Sequence, residues 1–137
     1  MSSANLDLVR SIYAAHERGD FSSTHWADPE IEFVVLDGPA PGSWTGVAGM
    51  VEAWRELMSP MRDLRVQIDE YRELDDQRIV VFHRFSGRGK ASGVELGHLH
   101  ARTATLFYIR NGKVTRHILY FDRDRAFADL GLTPDNP

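Results

Sequence analysis

Ionisable side chains that could move protons occur at three places in the sequence. Asp37 follows one apolar segment, His98, His100 and Arg102 alternate within a second, and His117 lies in a third. Histidine transfers protons near neutral pH, and burial raises the pKa of a carboxylate until it can act as a general base. An arginine polarises a carbonyl group or holds a carboxylate. These residue types predict acid–base chemistry, with Asp37 as the base and His100, Arg102 or His117 as the acid or electrophile.

Simpler interpretations of the same residues stay open. Asp37 precedes a glycine and could be a loop aspartate that accepts backbone hydrogen bonds. His98 and His100 could face solvent, or a bulge could change their register. Their spacing could also hold a metal completed by His117 or Asp37, but such pairs arise often by chance among six histidines, and we predict no metal. His83 lies in an apolar segment, where a histidine is more often a satisfied core residue than a catalyst.

Helical periodicity marks two longer helices in the first half of the chain. One ends at Gly19 and the other runs from Gly46 to Pro60. A short helix is predicted over 21–26 and a strand over 30–36, with Pro29 between them. The apolar stripe comprises Leu6, Val9, Ile12, Tyr13 and His16 in the first helix, and Val47, Met50, Val51, Trp54, Leu57 and Met58 in the later one.

The second half of the chain is typical of strands. Asn111-Gly112 favours a two-residue hairpin, because both turn positions need a positive φ. Asp122 is expected to cap a short terminal helix that ends at Gly131. Helices followed by an antiparallel meander predict an α+β fold. The predicted strands cover residues 64–69, 78–86, 94–110 and 113–121.

Composition excludes several functional classes. The 137 residues fit a single domain over 1–137, and the absence of cysteine excludes disulfides and thiolate metal sites. A net charge of −4 without a basic stripe argues against nucleic acid as a partner. No signal peptide or membrane-spanning run is visible, so we expect a cytoplasmic protein with no membrane partner. Gly87-x-Gly89 leads into a strand rather than a helix, so it is no dinucleotide fingerprint.

Three groups of short motifs occur in an order that matches a known family. They are Tyr13 to Asp20, which ends in Arg18-Gly19-Asp20, then Trp44-Thr45-Gly46-Val47-Ala48-Gly49, then Arg110-Asn111-Gly112-Lys113-Val114 with Tyr120-Phe121-Asp122-Arg123 and Leu130-Gly131-Leu132. Together they resemble the SnoaL-like branch of the nuclear transport factor 2-like superfamily, which includes ketosteroid isomerases and polyketide cyclases. The resemblance implies a cone-shaped, curved antiparallel sheet packed on three N-terminal helices. It also implies a pocket for a small apolar molecule, no cofactor, and a homodimer through the outer sheet face.

The same resemblance assigns positions to the candidate site. Asp37 lies nine residues before Gly46, as the general base of ketosteroid isomerases does before its glycine. The two isomerase oxyanion donors fall on Ile12 and Ala104, and the cyclase base falls on Leu119, which argues against both known mechanisms. The residues that the alignment turns toward the pocket are His98, His100, Arg102 and Ala104 on one strand, and His117, Leu119 and Phe121 on the last.

Two classes of function follow from these residues. One is a cofactor-independent, isomerase- or cyclase-like enzyme acting on an apolar carbonyl or polycyclic compound. The other is a non-catalytic binding module or dimeric scaffold, which the missing oxyanion donors favour. Epoxide opening by activated water ranks lower, because it needs paired carboxylates and only Asp37 and Arg102 are well placed. The predicted ligand-binding residues, several of them aromatic and able to stack on a flat ligand, are Tyr13, Trp26, Trp44, Trp54, His98, Leu119 and Phe121.

Overall fold

The computed structural model describes residues 4–17, 24–37, 41–58, 61–89 and 98–132. These residues form three helices and six strands. The helices are α1 (Ala4–Glu17), α2 (Gly46–Met58) and α3 (Arg123–Leu130), and the strands are β1 (Ala27–Val35), β2 (Gly42–Thr45), β3 (Met61–Glu73), β4 (Arg78–Gly89), β5 (His98–Arg110) and β6 (Lys113–Tyr120). No helix within these ranges is long and apolar enough to cross a membrane.

The six strands form one curved, unclosed sheet in the order β2-β1-β6-β5-β4-β3. The predicted α+β class, with helices packed on such a sheet, is confirmed. One pair departs from the predicted antiparallel arrangement, because β1 lies parallel to β6. The chain leaves β1, passes through β2, α2 and the β3-β4-β5 meander, and returns beside β1 in the same direction. This return places β6 in the middle of the sheet, with neighbours from both ends of the sequence.

Local sequence signals account for most element boundaries. Asn111 and Gly112 adopt φ values of 53° and 75° in the predicted hairpin. Asp122 caps α3 by accepting a hydrogen bond from the Asp124 N–H, and Gly131 ends it at φ 67°. These turn and cap predictions are confirmed, since each rests on a short polar side chain or on a glycine that tolerates left-handed backbone.

The region between α1 and α2 differs from the prediction. Two helices precede the meander and the third, α3, follows it. Residues 21–23 of the predicted short helix lie outside the described ranges, residues 25–26 form a turn, and β1 begins at Ala27. Pro29, which has no N–H, falls where the β1–β6 register shifts, so no ladder bond is lost. Strand β2 is absent from the strands that the sequence predicts, because its four residues are too few to show a strand period.

The sheet buries residues on both faces. The inner face packs against α1 and α2, and the outer face packs against α3. Alternate residues of each strand divide between the two, as the two-residue strand period requires. The inner cluster includes Val9, Ile12, Tyr13, Trp26, Phe33, Met50, Trp54, Ile79, Val81, Phe107, Ile109, Val114 and Leu119. The outer cluster comprises Val80, Phe82, Ala104, Leu106, Ile118, Tyr120, Ala126 and Phe127.

Candidate functional site

His117 lies on the inner face of β6 and is surrounded by aromatic rings. Only 6% of its surface is exposed. The pairing registers place Phe33 of β1 and Phe107 of β5 on either side of it, because β6 runs between those two strands. The ring centroids of its aromatic neighbours lie at 4.8 Å for Phe107, 5.1 Å for Phe33, 5.9 Å for Trp54 and 6.2 Å for Trp26. We call these four rings and His117 the aromatic enclosure.

The two tryptophans of this enclosure come from different elements. Trp26 immediately precedes β1, and Trp54 lies on the apolar face of α2. Their rings stack with centroids 5.9 Å apart and planes inclined by 24°. His16 of α1 packs its ring edge against Trp54 at 5.4 Å. Helix periodicity and the start of β1 therefore bring two distant tryptophans to one histidine.

The imidazole of His117 is neutral and incompletely bonded. Nδ1 is buried and has no hydrogen-bond partner in the part of the chain that the structure describes. Burial, with the nearby His16 and His83 as further causes, lowers the pKa of His117 to about 3. A neutral imidazole has one nitrogen that donates and one that accepts a hydrogen bond. The enclosure can therefore exchange one hydrogen bond or one proton with a molecule in contact with Nδ1.

A second buried histidine, His83, lies on the same face of the sheet with both ring nitrogens bonded. Its Nδ1 is hydrogen-bonded to the hydroxyl of Thr103, and its Nε2 lies 2.7 Å from Oγ1 of Thr105. Burial is the main cause that lowers the pKa of His83 to about 3. The Tyr13 hydroxyl is hydrogen-bonded to Thr105, and the Tyr13 ring lies 5.8 Å from that of His83.

Asp37 lies just beyond β1 and anchors the chain after β6. The Phe121 N–H donates to its Oδ1 at 2.5 Å, and the Asp122 N–H donates to its Oδ2 at 3.3 Å. Phe121 is four residues beyond His117, which corresponds to about 13 Å along a strand. The structure therefore does not bring Asp37 and His117 together.

Arg102 lies apart from the inner face. Its side chain is exposed, and Ala104, two residues on, packs in the outer cluster beside α3. The predicted inward orientation of this face is therefore wrong. The reason is a shift in the β5–β6 register: Ile109 pairs with Val114 but Tyr108 pairs with Arg116, which leaves Thr115 as an extra residue. Pairing the two strands outward from the Asn111-Gly112 turn without this bulge would set His117 opposite Leu106 instead of Phe107, and would therefore turn the Arg102 face of β5 to the same side as His117.

The other predicted residues fall into three groups. His98 and His100 belong to β5, where they pair with Arg88 and Ser86, but their side chains lie outside the described part of the structure. Tyr13 and Leu119 are buried in the inner cluster, and Phe121 packs partly buried against it. Trp44 is half-buried on β2, with its ring 5.8 Å from Phe33. The catalytic and binding roles of all these residues stay predictions.

Sequence reasoning missed four residues around the two histidines: Phe33, Thr103, Thr105 and Phe107. A signal for three of them was present, because Thr103, Thr105 and Phe107 alternate along one strand. Their shared face became interpretable only once the bulge at Thr115 was known. In the ranges that the structure covers, no group of three or more histidine or acidic side chains is arranged to hold a metal ion.

The curved, unclosed sheet with its helices defines a nuclear transport factor 2-like domain. Within that class, the model of the SnoaL-like domain family matches residues 9–117. The chain belongs to the SnoaL-like family. No curated protein matches it by sequence.

Several solved structures share this fold. TerC, co-crystallised with polyporic acid, is 24% identical with a TM-score of 0.73 over 93% of this chain and 98% of its own. A nuclear transport factor 2-like protein from Burkholderia pseudomallei K96243 is 19% identical, with a TM-score of 0.75 over 93% and 97%. A protein of ketosteroid isomerase-like fold from Catenulispora acidiphila, in complex with trimethylamine, is 14% identical, with a TM-score of 0.68 over 96% and 98%. At these identities the likeness shows the fold alone.

Proposed function

We propose that this protein is a small-molecule enzyme of the SnoaL-like type, carrying out cofactor-independent acid–base chemistry on an apolar carbonyl or polycyclic compound with His117 as the proton-transferring group. The observation that carries the proposal is the buried Nδ1 within the aromatic enclosure, which has no hydrogen-bond partner among the described residues. Leaving such an atom unpaired costs about 1–3 kcal/mol. Unsatisfied buried groups of this kind concentrate where a ligand or a reaction uses them.

The surroundings of His117 support one kind of substrate. Four aromatic rings favour a flat, apolar molecule over an ion, since they supply apolar area and ring faces but no opposite charge. A desolvated imidazole with a pKa of about 3 is a weak base. It therefore suits a substrate whose own proton is acidic, such as a carbon between a carbonyl group and an aromatic ring. The unprotonated nitrogen takes that proton and returns it to another atom of the enolate.

Asp37 is a weaker candidate for the base in this proposal. Both of its carboxylate oxygens already accept backbone hydrogen bonds, which is the loop role that the sequence left open. It also lies about 13 Å from His117 along the sheet. A carboxylate committed to two N–H donors is less available as a proton acceptor than a nitrogen with no partner.

Deuterium exchange of an enolisable ketone tests the proposal. We expect the protein to accelerate exchange of the C1 protons of 2-tetralone in D₂O, followed by NMR. His117→Phe should reduce this acceleration by a factor of about 10² or more, the usual contribution of a positioned acid–base group. His117→Gln should retain binding but not exchange, because an amide hydrogen-bonds without taking up a proton. His25→Phe, at an exposed histidine, is the matched control. Undiminished exchange in His117→Phe would remove His117 from the mechanism, and a loss confined to Asp37→Asn would return the role to Asp37.

A non-catalytic binding module is the second candidate. One observation favours it: Ile12, on which the family position for one oxyanion donor falls, is a buried apolar residue of α1 and supplies no donor. This candidate predicts that 2-tetralone quenches tryptophan fluorescence and is recovered without exchange.

The predicted homodimer is also retained as a proposal. Partly buried apolar residues border the outer cluster beside α3, among them Val34, Leu36, Leu74 and Tyr108. Covering such a border is favourable in proportion to the apolar area removed from water. Sedimentation equilibrium should give twice the chain mass, and Tyr108→Glu should shift it toward the monomer.

A further inference from the structure

A chain of hydrogen bonds connects Tyr13 of α1 to three buried residues of β4 and β5. In order, it links the Tyr13 hydroxyl, the Thr105 hydroxyl, the imidazole of His83 and the Thr103 hydroxyl. All four residues are buried, and the relative exposure of His83 and Thr103 is 0%. Each member has few protons to give, so the direction of every bond can be worked out from one fixed end.

The fixed end is Thr103. Its hydroxyl lies 2.9 Å from the backbone carbonyl oxygen of His83, which can only accept. A threonine hydroxyl has a single proton. With that proton donated to the carbonyl, Thr103 Oγ1 can only accept from the His83 ring. His83 Nδ1 must therefore carry the hydrogen of the ring.

The rest of the chain follows from the neutral state of His83. Burial and the nearby positive charge of Arg123 lower the pKa of His83 to about 3, so the ring holds one proton at neutral pH. With Nδ1 protonated, Nε2 accepts from the Thr105 hydroxyl 2.7 Å away. Thr105 has then used its proton, and Tyr13 must donate to it. Tyr13 has a proton to give, because burial raises its pKa well above the ordinary value.

Arg123 holds the fixed end in place. Its Nη2 donates to the His83 carbonyl oxygen at 2.7 Å, and its Nε donates to the Thr103 carbonyl oxygen at 3.3 Å. The same Nη2 lies 2.8 Å from Oδ2 of Asp69. These bonds hold in place the His83 carbonyl oxygen, which is the acceptor for the Thr103 hydroxyl proton and so sets the direction of the chain.

We infer that Thr103 is a positioning residue that fixes His83 in the Nδ1–H tautomer. Through Thr105, this tautomer commits the Tyr13 proton to Thr105, so that the Tyr13 oxygen can act toward a ligand only as a hydrogen-bond acceptor. Tyr13 then cannot stabilise an oxyanion, since its proton is committed to Thr105. The Tyr13 ring contacts Phe107 at 5.9 Å, and Phe107 stacks on His117 at 4.8 Å, so Tyr13 borders the aromatic enclosure. Resting on the proposed function, the inference specifies a ligand that presents an O–H or N–H donor to Tyr13, such as a phenol or an enol.

The tautomer is tested without any ligand. Long-range ¹H–¹⁵N spectra of histidine-labelled protein distinguish a protonated from an unprotonated ring nitrogen, and loss of the signal in His83→Gln assigns it. We expect the Nδ1–H tautomer in the unaltered protein, the Nε2–H tautomer in Thr103→Val, and return of the Nδ1–H form in Thr103→Ser. Thr45→Val, at an exposed threonine of β2, should leave the spectrum unchanged. An Nε2–H tautomer in the unaltered protein overturns the inference, whatever the variants do.

The ligand preference is tested with two naphthalenes that differ by one proton. We expect 2-naphthol to bind roughly three- to tenfold more tightly than 2-methoxynaphthalene, the usual effect of one hydrogen bond. Thr103→Val should reduce the ratio to within about twofold, and Thr103→Ser should restore it. Equal binding of the two probes to the unaltered protein overturns the preference. Binding of neither probe overturns the proposed function and the preference with it, and leaves the tautomer to be decided by the spectrum alone.

Discussion

Two buried histidines lie on the same face of one sheet, and burial lowers the pKa of each to about 3. Their hydrogen bonding differs. His83 is held by two threonine hydroxyls, one at each ring nitrogen. His117 is enclosed by aromatic rings, and its Nδ1 has no partner among the described residues. The hydrogen-bonding capacity of a buried imidazole is therefore filled at His83 and partly unfilled at His117, although both lie in one continuous core.

The difference separates a positioning role from a binding role. A pKa shift alone does not distinguish the two, because desolvation acts on both rings. The hydrogen-bond inventory does distinguish them. An imidazole with both nitrogens hydrogen-bonded fixes which of its neighbours donate and which accept. An imidazole with an unbonded nitrogen can still form a stabilising hydrogen bond with a molecule that reaches it.

The largest effect that tests the comparison is acid destabilisation. Both histidines have folded-state pKa values below the ordinary value of 6.5, so folding opposes their protonation. Stability should be highest above about pH 6.5 and should fall as the pH decreases toward 3. Two such groups predict a loss of about 5 kcal/mol between pH 7 and 4.5. Urea unfolding at stepped pH measures this loss, and His117→Phe should halve it; an unchanged slope in that variant would show that His117 is not buried neutral.

The next effect compares the two histidines at neutral pH. His83→Phe leaves the hydroxyls of Thr103 and Thr105 without a ring partner and should reduce the free energy of unfolding by about 3 kcal/mol. His117→Phe removes an unpaired polar atom from an aromatic surrounding and should leave the free energy of unfolding unchanged or raise it by up to about 3 kcal/mol. Both values come from urea titration at pH 7.5. Equal costs for the two variants would contradict the distinction.

A smaller effect concerns Arg123, which donates a hydrogen bond to the backbone carbonyl of His83. It is 9% exposed and donates to two backbone carbonyls and to Asp69. Arg123→Met should destabilise the protein by about 2 kcal/mol and raise the pKa of His83 by removing a nearby cation. Arg125→Met, whose side chain is 51% exposed and paired with Asp129, should cost less than about 0.5 kcal/mol. NMR titration should find the His117 pKa less affected than that of His83.

The smallest effect extends the comparison to Asp37. Its two oxygens are bonded, so it should behave as a saturated group like His83. Asp37→Asn replaces one acceptor by an NH₂ group that faces a backbone N–H, and should cost about 1 kcal/mol in thermal or urea unfolding. A gain in stability would instead indicate a carboxylate held under strain for function.

Much of the fold could be predicted because its signals are local. The stripes of α1 and α2, the Asn111-Gly112 turn and the caps of α3 each depend on residues a few positions apart. The parallel pairing of β1 with β6 could not be predicted, because it depends on where the chain returns to the sheet after a long connection. Nor could β2, whose four residues are too few to show a period.

The candidate site divides in the same way. Trp26, Trp54 and His117 were predicted to approach one ligand, and the structure places the three together. The error at Arg102 has one cause, the extra residue Thr115, which no periodicity reveals. A period of two says which residues share a face but not which face is inside. His83 was expected to be a satisfied core residue, and its bonding to Thr103 and Thr105 confirms this.

The central position of β6 also has a consequence for synthesis of the chain. Trp26, Phe33 and Trp54 leave the ribosome early, but the strand that carries His117 is made after the whole β3-β4-β5 meander. Until then β1 is paired with β2 but lacks its parallel partner β6, and pairing over so long a sequence separation is slow. The aromatic enclosure is therefore expected to assemble last, when β6 inserts between the nascent β1 and β5.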